Sequence, residues 1–202
     1  MGNELHIGKA ADTRQQILHT ARGIILGKGF AAVGLNEILS CAGVPKGSFY
    51  HYFKSKEQFG NAMLEDYFEE YMVMLETLLG DKTLPASSQL LGYFRYWLES
   101  QTSDTTEEKC LIVKLSAEVT DLSESMRLTL KRGTDDIIRR LAEAVDAGAR
   151  EGDFPADIEV TRVTHELYYL WLGATLLTKV QRNRDALERA YRATCERLGV
   201  AA

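Results

Sequence analysis

An all-α fold of about nine helices is what this 202-residue chain predicts, and three observations predict it. Only three prolines occur (Pro45, Pro85 and Pro155), so long segments run without the residue that breaks helices. Apolar residues recur at three- and four-residue spacing through those segments, and no stretch shows the strict alternation of a half-buried strand. Glycines and short polar runs punctuate the segments where helices should stop. The length suits one domain or two small ones.

The first helix is "DTRQQILHTARGIILGKG", with Ile17, Ala21, Ile24 and Ile25 on one face. Thr13 and Gln16 read as a capping box at its start, and Gly27 and Gly29 end it. A short helix follows in "NEILSCAG", capped by Asn36 and closed by Gly43. Val44-Pro45 forces a turn, and a third helix runs from Lys46 to Phe53. Ser55 with Gln58 is a second capping box. It opens a long helix carrying Phe59, Met63, Tyr67, Tyr71, Met74 and Leu78 in register and ending at Gly80. "GDKTLPASS" is a connector. Further helices fall near 87–101, 107–120, 123–150, 157–182 and 184–198, with breaks at 102–106, 121–123 and 152–155. The expected division is a helix-turn-helix head, 1–55, and a regulatory and dimerisation body, 56–202.

The formal charge is −5, unpromising for a nucleic-acid binder, but it is unevenly spread. Residues 1–60 hold seven Lys/Arg against four Asp/Glu, a net of +3, which leaves −8 for the rest. A small basic head on an acidic body suits an anionic partner for the head. Cys41, Cys110 and Cys195 are widely spaced with no CxxC, which argues against a disulfide scaffold or a zinc site and fits a reduced cytoplasmic setting. The four histidines form no ligand pattern, so no metal and no cofactor are expected. The N-terminus lacks an apolar signal core, and no apolar run approaches the ~20 residues of a membrane span.

"VPKGSFYHYFKSKEQF", Val44–Phe59, sets aromatics among lysines. Two short helices joined by "CAGVPKG" have the layout of a helix-turn-helix, whose second helix enters the DNA major groove. Phe49 and Phe53, four apart, should face inward onto Ile17, Ile24 and Ile38. Ser48, Tyr50, His51 and Tyr52 then face outward, where hydroxyl and ring N–H groups can donate to phosphates. Lys46 sits at the helix start, Lys54 and Lys56 flank its far end, and Gly47 permits close backbone approach. The segment strongly resembles the recognition region of TetR-family transcriptional repressors. That resemblance covers residues 13–60 in detail and the nine-helix plan in outline. It implies DNA contacts from Asn36, Lys46, Gly47, Ser48, Tyr50, His51, Tyr52 and Lys56, and a dimer that binds a palindromic operator in double-stranded DNA. One departure is Gly34-Leu35, where many members carry a Thr or Ser that caps a phosphate.

In the body, "HELYYLWLGATLLTK" is apolar around most of its circumference, so it should be buried on several sides, with Gly173 and Ala174 permitting close approach. By resemblance to the family it pairs with the last helix (Leu187, Tyr191, Leu198) in a homodimer interface. A core helix of a monomer is the other reading. Cys110, Val113, Lys114 and Ala117 share a helical face. Cys110 reads either as a small buried space-filler or as a thiol activated by a helix N-terminus and by Lys109 and Lys114. "CLIVKLSAEVTDLSESMR" and "LWLGATLLTKV" resemble the N-ethylmaleimide reductase repressors within the TetR family. That resemblance implies a small reactive electrophile or oxidant as inducer, Cys110 as its sensor and Lys179 as a charged partner. Two alternatives stand beside it. A small apolar ligand could bind reversibly in a pocket lined by Tyr93, Phe94, Trp97, Tyr168 and Trp171, or Cys110 and His165 could serve a thiol enzyme. The enzyme needs an oriented Cys–His pair that the sequence does not show. His165 otherwise reads as a core or rim residue, Cys41 as a small buried packing residue, and Cys195 as unremarkable in reactivity.

Overall fold

The structure, a computed structural model, describes residues 2–103 and 109–201, with side chains from Thr13 onward. The described residues form helices and no strand: α1 (Gly2–Lys28), α2 (Leu35–Ala42), α3 (Lys46–Tyr52), α4 (Lys56–Leu79), α5 (Ala86–Thr102), α6 (Leu111–Leu122), α7 (Glu124–Glu151), α8 (Val160–Gln181) and α9 (Asp185–Leu198). They form two compact units, Met1–Phe68 with Lys114–Lys131, and Glu69–Val113 with Arg132–Ala202. Helices α4, α6 and α7 each belong partly to both.

The first unit is built on phenylalanine. Phe49, Phe53 and Phe59 are at most 1% exposed, and their ring centroids lie 5.1–5.6 Å apart. Ile17, Leu18, Ala21, Ile25 and Ile38, all fully buried, complete the core. Each such isoleucine, leucine or phenylalanine contributes about 1.5–3 kcal/mol through burial. Ile24 is only half-buried, and Ile25 takes the inward position expected of it. Gly29 ends α1 with φ +97°, a conformation that favours glycine. Gly60 lets α4 lie against Phe30, because a Cβ there would come within 2.6 Å of that ring.

Two expected caps are corrected. Helix α1 already runs from Gly2, so Thr13 is interior, and the Gln16 amide donates to the Ala42 carbonyl (2.9 Å). The N-cap of α2 is Gly34, which has no side chain to offer, so Asn36 lies inside the first turn and is exposed. The Ser55–Gln58 box does form. Ser55 Oγ accepts from the Gln58 N–H (3.0 Å), while Gln58 Oε1 accepts from Lys54 rather than Ser55 (2.7 Å). Gly43 closes α2 in the left-handed region, and Pro45 sets the extended entry to α3.

In the second unit, the Asp153 carboxylate accepts from the N–H and Oγ of Ser87 (2.9 and 2.8 Å), covering donors at the start of α5 and lowering its own pKa. Arg140 binds Glu76 and the Leu79 carbonyl (both 2.8 Å), closing the end of α4. Gly148 makes room for Phe154, whose ring a Cβ would meet at 2.2 Å. The helix expected at 107–120 begins at Leu111, and residues 107 and 108 lie outside the described chain. Its buried stripe is Leu111, Ile112, Leu115 and Val119, not the expected face, for Ala117 is exposed and Val113 and Lys114 are half-buried.

Candidate nucleic-acid interface and thiol site

Helix α3 hangs on Phe49 and turns the rest of its surface to solvent. Tyr50 is 54% exposed, His51, Lys46 and Gly47 are exposed, and Ser48 and Tyr52 are half-buried. The Tyr50 ring meets the edge of Phe49 at 5.6 Å, and His51 meets Tyr52 at 4.9 Å, so these outward groups stand on a packed base. Asn36 on α2 is exposed as well. Lys56 differs from the others. Its ammonium donates to the Phe30 carbonyl (2.8 Å) and stands 4.8 Å above the Phe30 ring. From the other side, the Glu118 carboxylate of α6 accepts from the N–H groups of Phe30 (3.0 Å) and Ala31 (2.5 Å). The α1–α2 turn is thus held at its donors by Glu118 and at its acceptors by Lys56. Nothing local in the sequence marks Glu118 for this, because its partners lie 87 and 88 residues away.

In the second unit, Cys110 is buried, and its backbone N–H donates to the Gln101 side-chain oxygen at 2.9 Å. It directly precedes α6. The neighbouring ammonium groups donate to backbone carbonyls. Lys109 bonds the carbonyls of Gln101 (2.9 Å) and Ser103 at the end of α5, and Lys114 points to the Gly27 carbonyl (3.5 Å). Orphan helix-end carbonyls compete well for an ammonium. Lys179 is exposed in the last turn of α8.

The five aromatics expected to line a pocket do come together, as a packed cluster. Phe94 stacks on Trp171 at 4.9 Å, and Trp97 meets Tyr93, Tyr168 and Trp171 within 6.0 Å. Both indole N–H groups are satisfied, Trp97 by Thr175 (3.0 Å) and Trp171 by Thr194 (2.9 Å). The Tyr71 and Tyr93 hydroxyls share a 2.8 Å hydrogen bond. Burial pushes the pKa of Tyr71, Tyr93 and Tyr168 well above the usual phenol range, so all three stay protonated.

The other sulfur and histidine positions divide. Cys41 is exposed, contrary to expectation, because α2 buries Ile38, Leu39 and Ala42 and turns Ser40 and Cys41 outward. Cys195 is buried, and desolvation raises its pKa. His165 is half-buried at the rim, its Nδ1 2.7 Å from the Thr161 carbonyl. Among the described residues, no group of three or more His, Cys, Asp or Glu could hold a metal.

Two family models divide the chain between them. Residues 17–63 match the bacterial regulatory proteins of the tetR family, and residues 86–194 match the tetracyclin repressor-like C-terminal domain. The chain belongs to the TetR family. It is 41% identical over 179 residues to the HTH-type transcriptional repressor NemR of Escherichia coli (strain K12), covering 89% of this chain and 90% of that protein. It is 29% identical to the HTH-type transcriptional repressor DhaR of Mycobacterium sp. (strain GP1), over 87% of each. The solved structure of E. coli NemR in its reduced form superposes with a TM-score of 0.86 at 39% identity, covering 95% of this chain and 97% of that one.

As a TetR-family transcriptional repressor related to NemR, the protein is not an enzyme, which removes the Cys110–His165 reading. TetR-family repressors bind operator DNA as dimers. Within a single chain, helix α8 is buried on one side only. Tyr169, Leu170, Leu176, Leu177 and Val180 are 40–71% exposed on the other. Gly173 and Ala174 line a groove with Ala186, Ala190 and Ala193 of α9. Leu187 and Leu198 of α9, by contrast, are fully buried in the unit's own core. No described helix is long and apolar enough to cross a membrane.

Proposed function

We propose that this protein is a cytoplasmic homodimeric repressor that releases its operator when an electrophile or oxidant modifies Cys110. The observation that carries the reading is the seat of this thiol. Cys110 is buried and held through its own backbone at the start of α6, and Glu118, two turns along the same helix, grips the α1–α2 turn. An adduct on a packed side chain has no slack to occupy, so it displaces the helix that follows. Residues 1–55 bind DNA in this reading, and 56–202 sense and dimerise.

Asn36, Lys46, Gly47, Ser48, Tyr50, His51 and Tyr52 form the DNA surface. Lys56 keeps one of its three donors for a phosphate while it braces the turn. The exposed apolar face of α8, with the small residues of α9, is the dimer interface, and it spaces two α3 helices for successive major grooves about 34–36 Å apart. Lys179 is the charged partner assigned to Cys110. A hundredfold loss of occupancy requires modification to favour the released state by about 2.7 kcal/mol.

The test is operator release in a gel shift. Wild type and Cys110→Ser are each treated with N-ethylmaleimide or hypochlorite, on DNA from immediately upstream of the gene. Release by wild type alone is expected. Equal release by both would overturn the switch at Cys110 and leave a different cysteine, or a reversible ligand among Tyr93, Phe94, Trp97, Tyr168 and Trp171, as the sensor.

A further inference from the structure

One hydroxyl in the aromatic cluster does not fit its surroundings. Tyr168 is 2% exposed, and its Oη has no hydrogen-bond partner among the described residues. Leaving a buried hydroxyl unpaired costs about 1–3 kcal/mol, whereas phenylalanine would fill the same volume without that cost. The two indoles and the Tyr71–Tyr93 pair around it are all satisfied, so among the rings of the cluster it stands apart, although the Thr178 hydroxyl of α8 is likewise buried without a described partner.

Its position connects it to the thiol. The Tyr168 ring packs on the edge of Trp97 at 6.0 Å. Gln101 lies one turn from Trp97 on the same face of α5, and its side chain holds the backbone of Cys110. The Cys110 sulfur is also within electrostatic reach of the Tyr168, Tyr71 and Tyr93 hydroxyls. A protonated donor in a dry site, without a described partner and linked to a thiol through Trp97 and Gln101, is suited to stabilising charge that develops on an oxygen.

We propose that the Tyr168 hydroxyl receives the carbonyl oxygen of an α,β-unsaturated carbonyl compound and that the site favours this class of electrophile over oxidants and sulfur electrophiles. The inference rests on the reading of Cys110 as the sensor. The Cys110 sulfur forms a bond to the β-carbon, the C=C π bond breaks, and its electrons move onto the carbonyl oxygen, where Tyr168 donates its hydrogen bond. The enolate then takes a proton at the α-carbon, equal to the one the thiol lost. One S–H and one C=C become one S–C and one C–H, with no oxidant or reductant consumed. Tyr168 is a positioning and specificity residue for this addition. It does nothing for hypochlorite, which has no carbonyl oxygen to bind.

The experiment compares two reagents on the full-length protein, following Cys110 by peptide mapping. N-ethylmaleimide adds across a conjugated double bond. Methyl methanethiosulfonate transfers a methylthio group to the thiol and releases methanesulfinate, without a carbonyl. In Tyr168→Phe, the N-ethylmaleimide rate at Cys110 should fall about tenfold or more while the methanethiosulfonate rate stays within twofold. A parallel fall in both rates would mean that Tyr168 only shapes the site, and no fall in either would mean that it does nothing. Both results overturn the proposal. A sensing role that fails is recognised separately, since Cys110→Ser would then release DNA like wild type whatever the two rates show. A wild-type Cys110 that neither reagent modifies would overturn both readings.

Discussion

The two aromatic clusters of this protein obey different rules. Around α3 the fully buried rings are phenylalanine, with Phe49, Phe53 and Phe59 meeting ring to ring and no polar atom among them. Around α5 and α8 it is tyrosine and tryptophan with one phenylalanine, Phe94, and each tyrosine or tryptophan brings a donor that needs a partner: Trp97 uses Thr175, Trp171 uses Thr194, and Tyr93 uses Tyr71. An apolar cluster asks only to be filled, so it makes a stiff base for outward groups such as Tyr50 and His51. A polar aromatic cluster must be satisfied as well as filled, and a group it leaves unsatisfied is where binding chemistry concentrates. Tyr168 is the ring in that position here.

Mutations that exchange the two rules break or sharpen the contrast. The largest effect belongs to the packed base: Phe49→Ala removes a fully buried ring and should cost about 3–5 kcal/mol in chemical denaturation, with operator binding lost in a gel shift. Trp171→Phe keeps an aromatic ring in the second cluster but drops its bond to Thr194, and about 1–3 kcal/mol should go in the same denaturation series. Glu118→Ala leaves both clusters filled and removes the grip on the α1–α2 turn. About 1–2 kcal/mol is expected, read as faster amide exchange at Phe30 and Ala31, and unchanged exchange there would deny Glu118 that role. Opposite in sign, Tyr168→Phe should raise stability by up to about 1–3 kcal/mol, the cost of leaving a buried hydroxyl unpaired. A clear destabilisation would show that its hydroxyl is already satisfied, and the contrast between the clusters would dissolve.

The thiols follow the same division by environment. Exposed Cys41 should be alkylated first in mass spectrometry, and buried Cys195, whose pKa desolvation raises, last. Cys41→Ser should leave inducer-driven release intact, because on the proposed reading release depends on Cys110 alone.

The sequence by itself determined what depends on neighbours along the chain. Helix ends follow from Gly29, Gly43, Pro45, Pro155 and the Ser55–Gln58 box, whose stereochemistry acts within one or two turns. The inward set of Ile17, Ile38, Phe49 and Phe53 follows from periodicity, and the recognition segment from an ordered run of residue types. Tertiary structure decided what depends on residues brought together from afar. Two turns of a helix present every kind of position, so spacing alone could not tell that Cys41 faces out, nor that the apolar girth of α8 is only half covered within one chain. Charge adjacency did not show that helix-end carbonyls receive the Lys109 ammonium. Glu118 and Tyr168 carry no local mark at all. Their roles come from what lies across from them, two N–H groups nearly ninety residues away for the one and no described partner for the other. Hydrogen-bond satisfaction is a property of the packed chain, and only the folded arrangement reveals it.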